Sequence, residues 1–350
     1  MKKKIAVLGS TSSIGKALLN LVRQNPNDFE ICLLTANTKY RELLRQANFF
    51  KVKNLILTNK KSYLIAKKIN RNKKIQILND FRYLKKIFKK KIDYTMSAIS
   101  GIEGLRPTYN VIKYTKKIAI ANKEAIICGW PLINKQLKKH KTNFIPVDSE
   151  HFSIWYALKN INKENIEKVY ITASGGPLYK YKSSSKKIKN ISMKKVLTHP
   201  NWKMGKKISV DSATMMNKIF ETIEAKNIFD IPYKKLSILI HPNSYVHALI
   251  KFNDGMSKII AHDTTMTIPI FNSLFSKSEK TFKSLELDLK KLNNLNLEKI
   301  NKKKFKLVKI LNEIPNDSSL FETIIVSAND KLVNLYLNKK IKFIDIEKIL

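Results

Sequence analysis

The strand–turn–helix at the N-terminus constrains this chain more than any other feature. Ile5 to Leu8 is an apolar run of strand length, Gly9 to Gly15 is rich in Gly and Ser, and Ala17, Leu18, Leu21 and Val22 recur with helical spacing over Lys16 to Gln24. Asn25-Pro26-Asn27 ends that helix, and Phe29 to Leu34 opens the next strand. A glycine turn from a first strand into a helix holds a pyrophosphate on backbone N–H groups and a helix N-terminus. The usual middle glycine of GxGxxG is absent, and Ser12 stands there. Ser10, Thr11, Ser12 and Ser13 add hydroxyl donors and a helix N-cap before Ile14.

Further strands are expected at Asn54–Leu57, Asp93–Ile99 and Lys117–Ala121, with a helix at Tyr63–Ile69. This alternation implies a parallel sheet with helices on both faces. The second strand ends in Thr35-Ala36-Asn37-Thr38-Lys39, without the acid that commonly binds the ribose hydroxyls in NAD enzymes. Asn37, Thr38 and Lys39 suit a 2′-phosphate instead, which favours NADP. Asn122, Lys123 and Glu124 follow a later strand, where open α/β sheets bind ligands.

At 350 residues the chain suits two or three domains. After about residue 148 the pattern changes to strands at Lys168–Ala173, Leu236–Ile240, Val246–Phe252 and Met256–Ala261 among polar loops. The expected architecture is α/β. It comprises an N-terminal Rossmann-like parallel-sheet domain (1–148), an α+β catalytic domain (149–275), a charged linker (276–304) and a short C-terminal helical domain (305–350) that looks trimmed. No apolar run is long enough to span a bilayer, and Met1-Lys2-Lys3-Lys4 leads straight into a strand, so a cytoplasmic protein is expected. Cys32 and Cys128 lie in apolar stretches and read as buried free thiols.

The net charge of +40 invites a nucleic-acid reading. Yet six of the 67 basic residues are arginine, and the lysines are scattered along the chain. Specific phosphate and base recognition leans on arginine forks, so the excess reads as compositional bias that gives weak, non-specific adhesion.

Asp148 and Glu150 follow the apolar Phe144–Val147. In an extended segment, residues two apart face the same way, and two converging carboxylates call for a hard divalent cation. Val210 to Glu221 reads as a loop entering a helix, with Asn217, Lys218 and Glu221 on one face. Thr172-Ala173-Ser174-Gly175-Gly176-Pro177 offers backbone donors to an anion. Thr198 to Lys206 places His199, Trp202, Met204 and Gly205 in an irregular segment that reads as a lid. His241-Pro242-Asn243-Ser244-Tyr245-Val246-His247 forms the last polar cluster.

Together GSTSSIG, ANKE, PVDSEH, SGGP, HPNWKMGKKISVDSATMMNK and IHPNSYVH, in this order over the whole chain, resemble the 1-deoxy-D-xylulose 5-phosphate reductoisomerases. The resemblance implies NADPH- and metal-dependent isomerisation and reduction of a ketose phosphate in isoprenoid precursor synthesis, by a homodimer with no specific nucleic-acid or membrane partner. It implies Asp148, Glu150 and Glu221 as ligands of Mg²⁺, Mn²⁺ or Co²⁺, with Lys218 beside them in the catalytic centre. Ser149, Glu150, Lys123, Ser174, His199, Ser212, Asn217, Lys218 and Glu221 would bind substrate. Gly9, Ser10, Thr11, Ser12, Ser13, Ile14, Asn37, Asn122, Glu124 and Gly205 would bind the cofactor, with Trp202 and Met204 in a flap. The chain departs from the family at Ser12, at Asn37–Lys39, and around Met266, where the usual acid and arginine are missing. A semialdehyde-type dehydrogenase would want a cysteine in a polar loop, a nucleic-acid binder would want tight salt-resistant binding, and a degraded scaffold would want lost ligands.

Overall fold

The computed structural model describes residues 2–181, 191–202, 205–275, 280–317 and 319–350. It divides into two compact units, Met1–Asp148 with Thr265–Lys283, and Ser149–Thr264 with Ser284–Leu350.

The first unit is a seven-stranded, wholly parallel sheet in the order β4-β3-β2-β1-β5-β6-β7. Its strands are β1 (Lys3–Leu8), β2 (Phe29–Ala36), β3 (Asn54–Leu57), β4 (Gln76–Leu78), β5 (Ile92–Ser97), β6 (Thr115–Ile120) and β7 (Asn143–Pro146). The helices between them are α1 (Ser13–Gln24), α2 (Tyr40–Phe49), α3 (Lys60–Ile69), α4 (Leu84–Ile87), α5 (Leu105–Val111) and α6 (Lys123–Lys139). Strands buried on both faces read as continuous apolar runs, and Ile5, Ala6, Val7 and Leu8 are all fully buried.

Residues 265–275 fall in the first unit, although the sequence grouped them with the second domain. Their apolar run explains this. Ile270, Phe271, Leu274 and Phe275 join the core of the parallel sheet, Phe275 packs edge-on to Phe29 with ring centroids 5.3 Å apart, and the buried hydroxyls of Tyr94 and Ser273 bond at 2.8 Å.

The second unit carries a five-stranded mixed sheet, β11-β10-β8-β9-β12. It is built from β8 (Ile166–Ala173), β9 (Leu236–Ile240), β10 (Val246–Phe252), β11 (Ser257–Ala261) and β12 (Glu298–Lys299). β8 and β9 are parallel and the other pairs antiparallel. Its helices include α7 (Ser149–Ala157), α8 (Met193–Leu197), α9 (Lys206–Thr214) and α10 (Met216–Phe229). One core joins α7 and α10 to this sheet through Ile154, Ala157, Ala225 and Phe229. A second core joins α8 and α9 to the C-terminal helices Phe321–Leu337 and Phe343–Ile349 through Val196, Val210, Leu332 and Phe343.

Three local expectations change. The stretch 210–214 is helix, not loop. α9 stops at Met215, whose left-handed backbone (φ 67°) also starts α10. A buried, bulky residue in that region is uncommon and marks an imposed break. Glu150 lies in the first turn of α7 rather than in an extended segment, so period-two spacing does not explain how it is aimed. The charged 276–304 stretch contains the helix Leu289–Leu292 and β12. Among the described residues neither cysteine forms a disulfide, and both are only half-buried.

Candidate functional site

In the first unit the strand order reverses between β1 and β5, and open α/β sheets bind ligands at such a switch point. A cavity of about 890 Å³ opens there, walled by Gly9, Thr11 and Ser12 from the glycine turn and by Asn37, Thr38 and Lys39 beyond β2. A Cβ on Gly9 (φ 79°) would meet the Ala98 carbonyl oxygen at 2.6 Å, and one on Gly15 would meet the Gly9 carbonyl oxygen at 2.4 Å. These two glycines are therefore required by geometry, whereas the missing middle glycine is not. Ser12 has ordinary extended backbone and caps α1, its Oγ accepting from the Gly15 amide at 3.1 Å.

Ser10 behaves differently from the sequence expectation. It is fully buried, and its Oγ donates to Gln46 Oε1 at 2.7 Å while Gln46 Nε2 donates back to the Ser10 carbonyl at 3.1 Å. Its side chain ties the turn to α2 and does not line the cavity. Ser13 and Ile14 begin α1. Asn122 is also a tie. Its Oδ1 accepts from the Ala125 amide at 2.7 Å to cap α6, and its Nδ2 donates to the carbonyls of Ile99 and Gly101, the latter at 2.8 Å. Glu124 is buried beside it. Lys123 Nζ pairs with Asp148 at 3.0 Å.

Several cavity walls went unnoticed in the sequence: Thr58, Asn79–Phe81, Ser100, Glu103 and Arg106. Each follows the carboxyl end of β3, β4 or β5, and that placement was the signal available.

In the second unit, Lys218 is buried on α10 and its Nζ reaches Glu150 Oε1 at 2.5 Å and the Glu221 carboxylate. Asn217 Nδ2 donates to the same Glu221 group, and Ser149 Oγ donates to Glu150. Burial alone would lower the Lys218 pKa, but the charges of Glu150 and Glu221 outweigh it and raise the value, so the ammonium is retained. The side chains of Glu150 and Glu221 are 12% and 1% exposed. Setting two buried carboxylates against one ammonium leaves an excess of negative charge, which a hard cation with oxygen ligands relieves. Asp148 precedes Glu150 in the chain by two residues. His151, which carried no assigned role, locks α7 to α10. Its Nε2 bonds the Glu221 carbonyl at 2.8 Å, and its Nδ1 lies 3.4 Å from the buried Glu224 carboxylate.

An anion cradle lies on the same unit. His199 Nδ1 accepts from the amides of Asn201 (3.2 Å) and Trp202 (3.0 Å). The ring proton is thereby placed on Nε2, which donates to Ser174 Oγ at 3.0 Å. That oxygen also accepts from the Gly176 amide at 3.1 Å, leaving the hydroxyl proton to donate outward. Desolvation first, and then the positive charge of Lys218, push the His199 pKa down to about 4. The imidazole is therefore neutral. Gly176 has φ 66°, and a Cβ there would strike the Ser212 carbonyl oxygen at 2.6 Å, so the turn packs directly on α9. Half-buried Trp202 meets His247 edge-on, with centroids 6.3 Å apart, and His247 stacks on His262 at 3.8 Å. Gly205 is the N-cap of α9. Met204 lies outside the described residues.

Comparison with known proteins covers the whole chain. Family models match residues 5–129 (1-deoxy-D-xylulose 5-phosphate reductoisomerase), 144–229 (its C-terminal domain) and 263–350 (DXP reductoisomerase C-terminal domain). The reductoisomerase of Pelagibacter ubique (strain HTCC1062) is 59% identical over 350 residues, covering 99% of this chain and 90% of the relative. That of Sulfurihydrogenibium sp. (strain YO3AOP1) is 37% identical, covering 99% and 89%. Among solved structures, the Zymomonas mobilis reductoisomerase in complex with NADPH matches with a TM-score of 0.90 at 30% identity, covering 100% of this chain and 90% of that one. A DOX-P reductoisomerase in complex with NADPH, fosmidomycin and magnesium matches with a TM-score of 0.90 at 32% identity, covering 98% and 87%. The chain belongs to the 1-deoxy-D-xylulose 5-phosphate reductoisomerase family.

Proposed function

We propose that this chain isomerises 1-deoxy-D-xylulose 5-phosphate and reduces the branched aldehyde to 2-C-methyl-D-erythritol 4-phosphate, using NADPH and a divalent cation, as a step toward isoprenoid precursors. The observation that carries this reading is the buried Glu150–Lys218–Glu221 group on the same unit as the Ser174–His199 cradle. Family membership and the ligands named for the related structures support it.

Both cofactors fit residues that are present. The cavity at the switch point has the volume and the glycine turn for a dinucleotide. Asp148, Glu150 and Glu221 offer the all-oxygen donor set that suits Mg²⁺, Mn²⁺ or Co²⁺. When bound, the cation would supply Lewis acidity to a carbonyl and NADPH the hydride. The chain's own residues position and neutralise. Lys218, held as an ammonium, stabilises negative charge on substrate oxygen. Neutral His199, Ser174, the Gly176 turn, Ser212 and Asn217 take the phosphate, remote from the reacting carbons, where its binding energy can be used for positioning. Ser149 and Lys123 contact the substrate backbone, and Thr11, Ser12, Ser13, Ile14, Asn37, Asn122, Glu124 and Gly205 serve the cofactor directly or by shaping its site. Trp202 belongs to the flap in this reading. Residues 1–148 are the dinucleotide domain in this reading, joined by 265–275, and 149–264 the catalytic one, in a cytoplasmic homodimer. The edge strand β11, with Ile259 exposed, is a surface that suits a second copy. No helix among the described residues is long and apolar enough to cross a membrane.

Incubation with the substrate, NADPH and Mg²⁺, followed by ¹³C NMR, should give the branched polyol phosphate. NADPH consumption with an unbranched product would refute the isomerisation.

A further inference from the structure

We infer that Arg106 is a specificity-determining residue that binds the 2′-phosphate of NADPH together with Lys39 and makes this chain discriminate against NADH. The inference rests on reading the switch-point cavity as the dinucleotide site. The cavity is lined by four charged side chains, the cations Lys39 and Arg106 and the acids Asp80 and Glu103. The two cations come from different walls, Lys39 beyond β2 and Arg106 from the first turn of α5 after β5. Both are exposed, and among the described residues neither is held by a carboxylate. Glu103, one helical turn before Arg106, makes no ion pair with it. Asp80 is already neutralised, its Oδ2 lying 3.1 Å from Arg82 Nε while its Oδ1 accepts the Arg82 amide at 2.6 Å.

Arg106 is also one of six arginines in a chain whose other 61 basic residues are lysine (67 less 6). It stands in the first turn of α5, on the cavity wall. A charge kept there, unpaired and facing a cavity, points to an anion that the cavity receives.

NADPH presents two kinds of phosphate. The pyrophosphate is served by backbone amides at the glycine turn and the α1 N-terminus, which need no side-chain cation. The 2′-phosphate extends from the adenosine ribose, which dinucleotide folds place at the end of the second strand. There this chain offers Asn37, Thr38 and Lys39 and no acid. A lysine supplies a point charge, whereas the planar arginine fork matches phosphate oxygens in pairs. Arg106 also offsets the repulsion that Glu103 would otherwise present to the incoming phosphate.

The test is the dissociation constant of NADPH and of NADH, measured by fluorescence titration without substrate, for wild type, Arg106→Ala and Arg106→Lys. Thermal melting confirms that each variant folds. The expected result is NADPH binding weakened by about tenfold or more in Arg106→Ala, partial recovery in Arg106→Lys, and NADH binding unchanged. Equal weakening for both dinucleotides would overturn the inference, because the residue would then act on their shared part. Unchanged NADPH binding in Arg106→Ala would overturn it as well. Failure of the wild type to bind either dinucleotide would instead refute the cofactor reading of the cavity, and the inference with it.

Discussion

The two sites of this molecule are built from different materials. In the first unit the ligand-facing surface is largely backbone and short side chains, among them Gly9, Thr11, Ser12 and Asn37. The side chains one would nominate there, Ser10 and Asn122, turn inward to brace strands and helices. In the second unit the side chains themselves are the site, buried or half-buried and bonded in two groups: Glu150, Lys218 and Glu221, and Ser174 with His199. A backbone-built site tolerates Ser12 in place of a glycine because the Ser12 backbone is ordinary, whereas a site built from buried charges tolerates little. The difference predicts unequal responses to substitution.

The largest effect is expected at Lys218. Lys218→Met leaves the Glu150 and Glu221 carboxylates buried without their ammonium, and breaking such a group costs about 3–5 kcal/mol. Chemical denaturation of the metal-free protein should show that loss, and added Mg²⁺ should recover part of it, because a cation bound to the folded state offsets the same excess charge. A loss that Mg²⁺ does not diminish would break the claim that these carboxylates hold a cation.

An intermediate, pH-dependent effect belongs to His199. Its folded pKa, about 4, lies below the ordinary histidine value, so protonation favours the unfolded chain. Its contribution is fully present above pH ~6.5 and is lost as pH falls toward about 4. The stability difference between wild type and His199→Gln should therefore shrink over that window, and substrate affinity should fall only near its lower end, where the folded ring protonates and the amides of Asn201 and Trp202 lose their acceptor. A difference that does not change with pH would contradict the neutral ring.

The smallest effect is expected at Ser10. Ser10→Ala removes the bond to Gln46, at about 1 kcal/mol, and should lower the melting temperature while leaving NADPH affinity nearly unchanged. A large loss of affinity at constant stability would return Ser10 to the cofactor and erase the contrast between the two sites.

How legible each site was in the sequence follows the same division. Strand and helix positions in the first unit came through because β1 and β3 carry continuous apolar runs and α1 a helical period. The cavity's far wall did not, since Thr58, Asn79, Phe81 and Arg106 enter as single residues at strand ends and no spacing links them. In the second unit the chemistry was legible by residue type, but not by the geometry first assumed. Asp148 and Glu150 were read as neighbours on an extended segment. Glu150 is in fact aimed by the first turn of α7, and its partner Lys218 lies 68 residues away on α10. The α9–α10 break was invisible because it hinges on one residue, Met215, that propensity would not place in left-handed backbone. His151 and Glu224, which tie α7 to α10, have the same character: they join distant segments, and nothing local announces the contact.

The central claim is that a cation held by Asp148, Glu150 and Glu221 drives an NADPH-linked reaction on a sugar phosphate. It is tested most directly by NADPH oxidation with 1-deoxy-D-xylulose 5-phosphate, measured with and without chelator, in wild type and Glu150→Ala. Wild-type turnover should vanish with chelator and return with Mg²⁺, and Glu150→Ala should lose about a hundredfold or more at the same metal concentration. Turnover indifferent to both the chelator and the substitution would contradict the account.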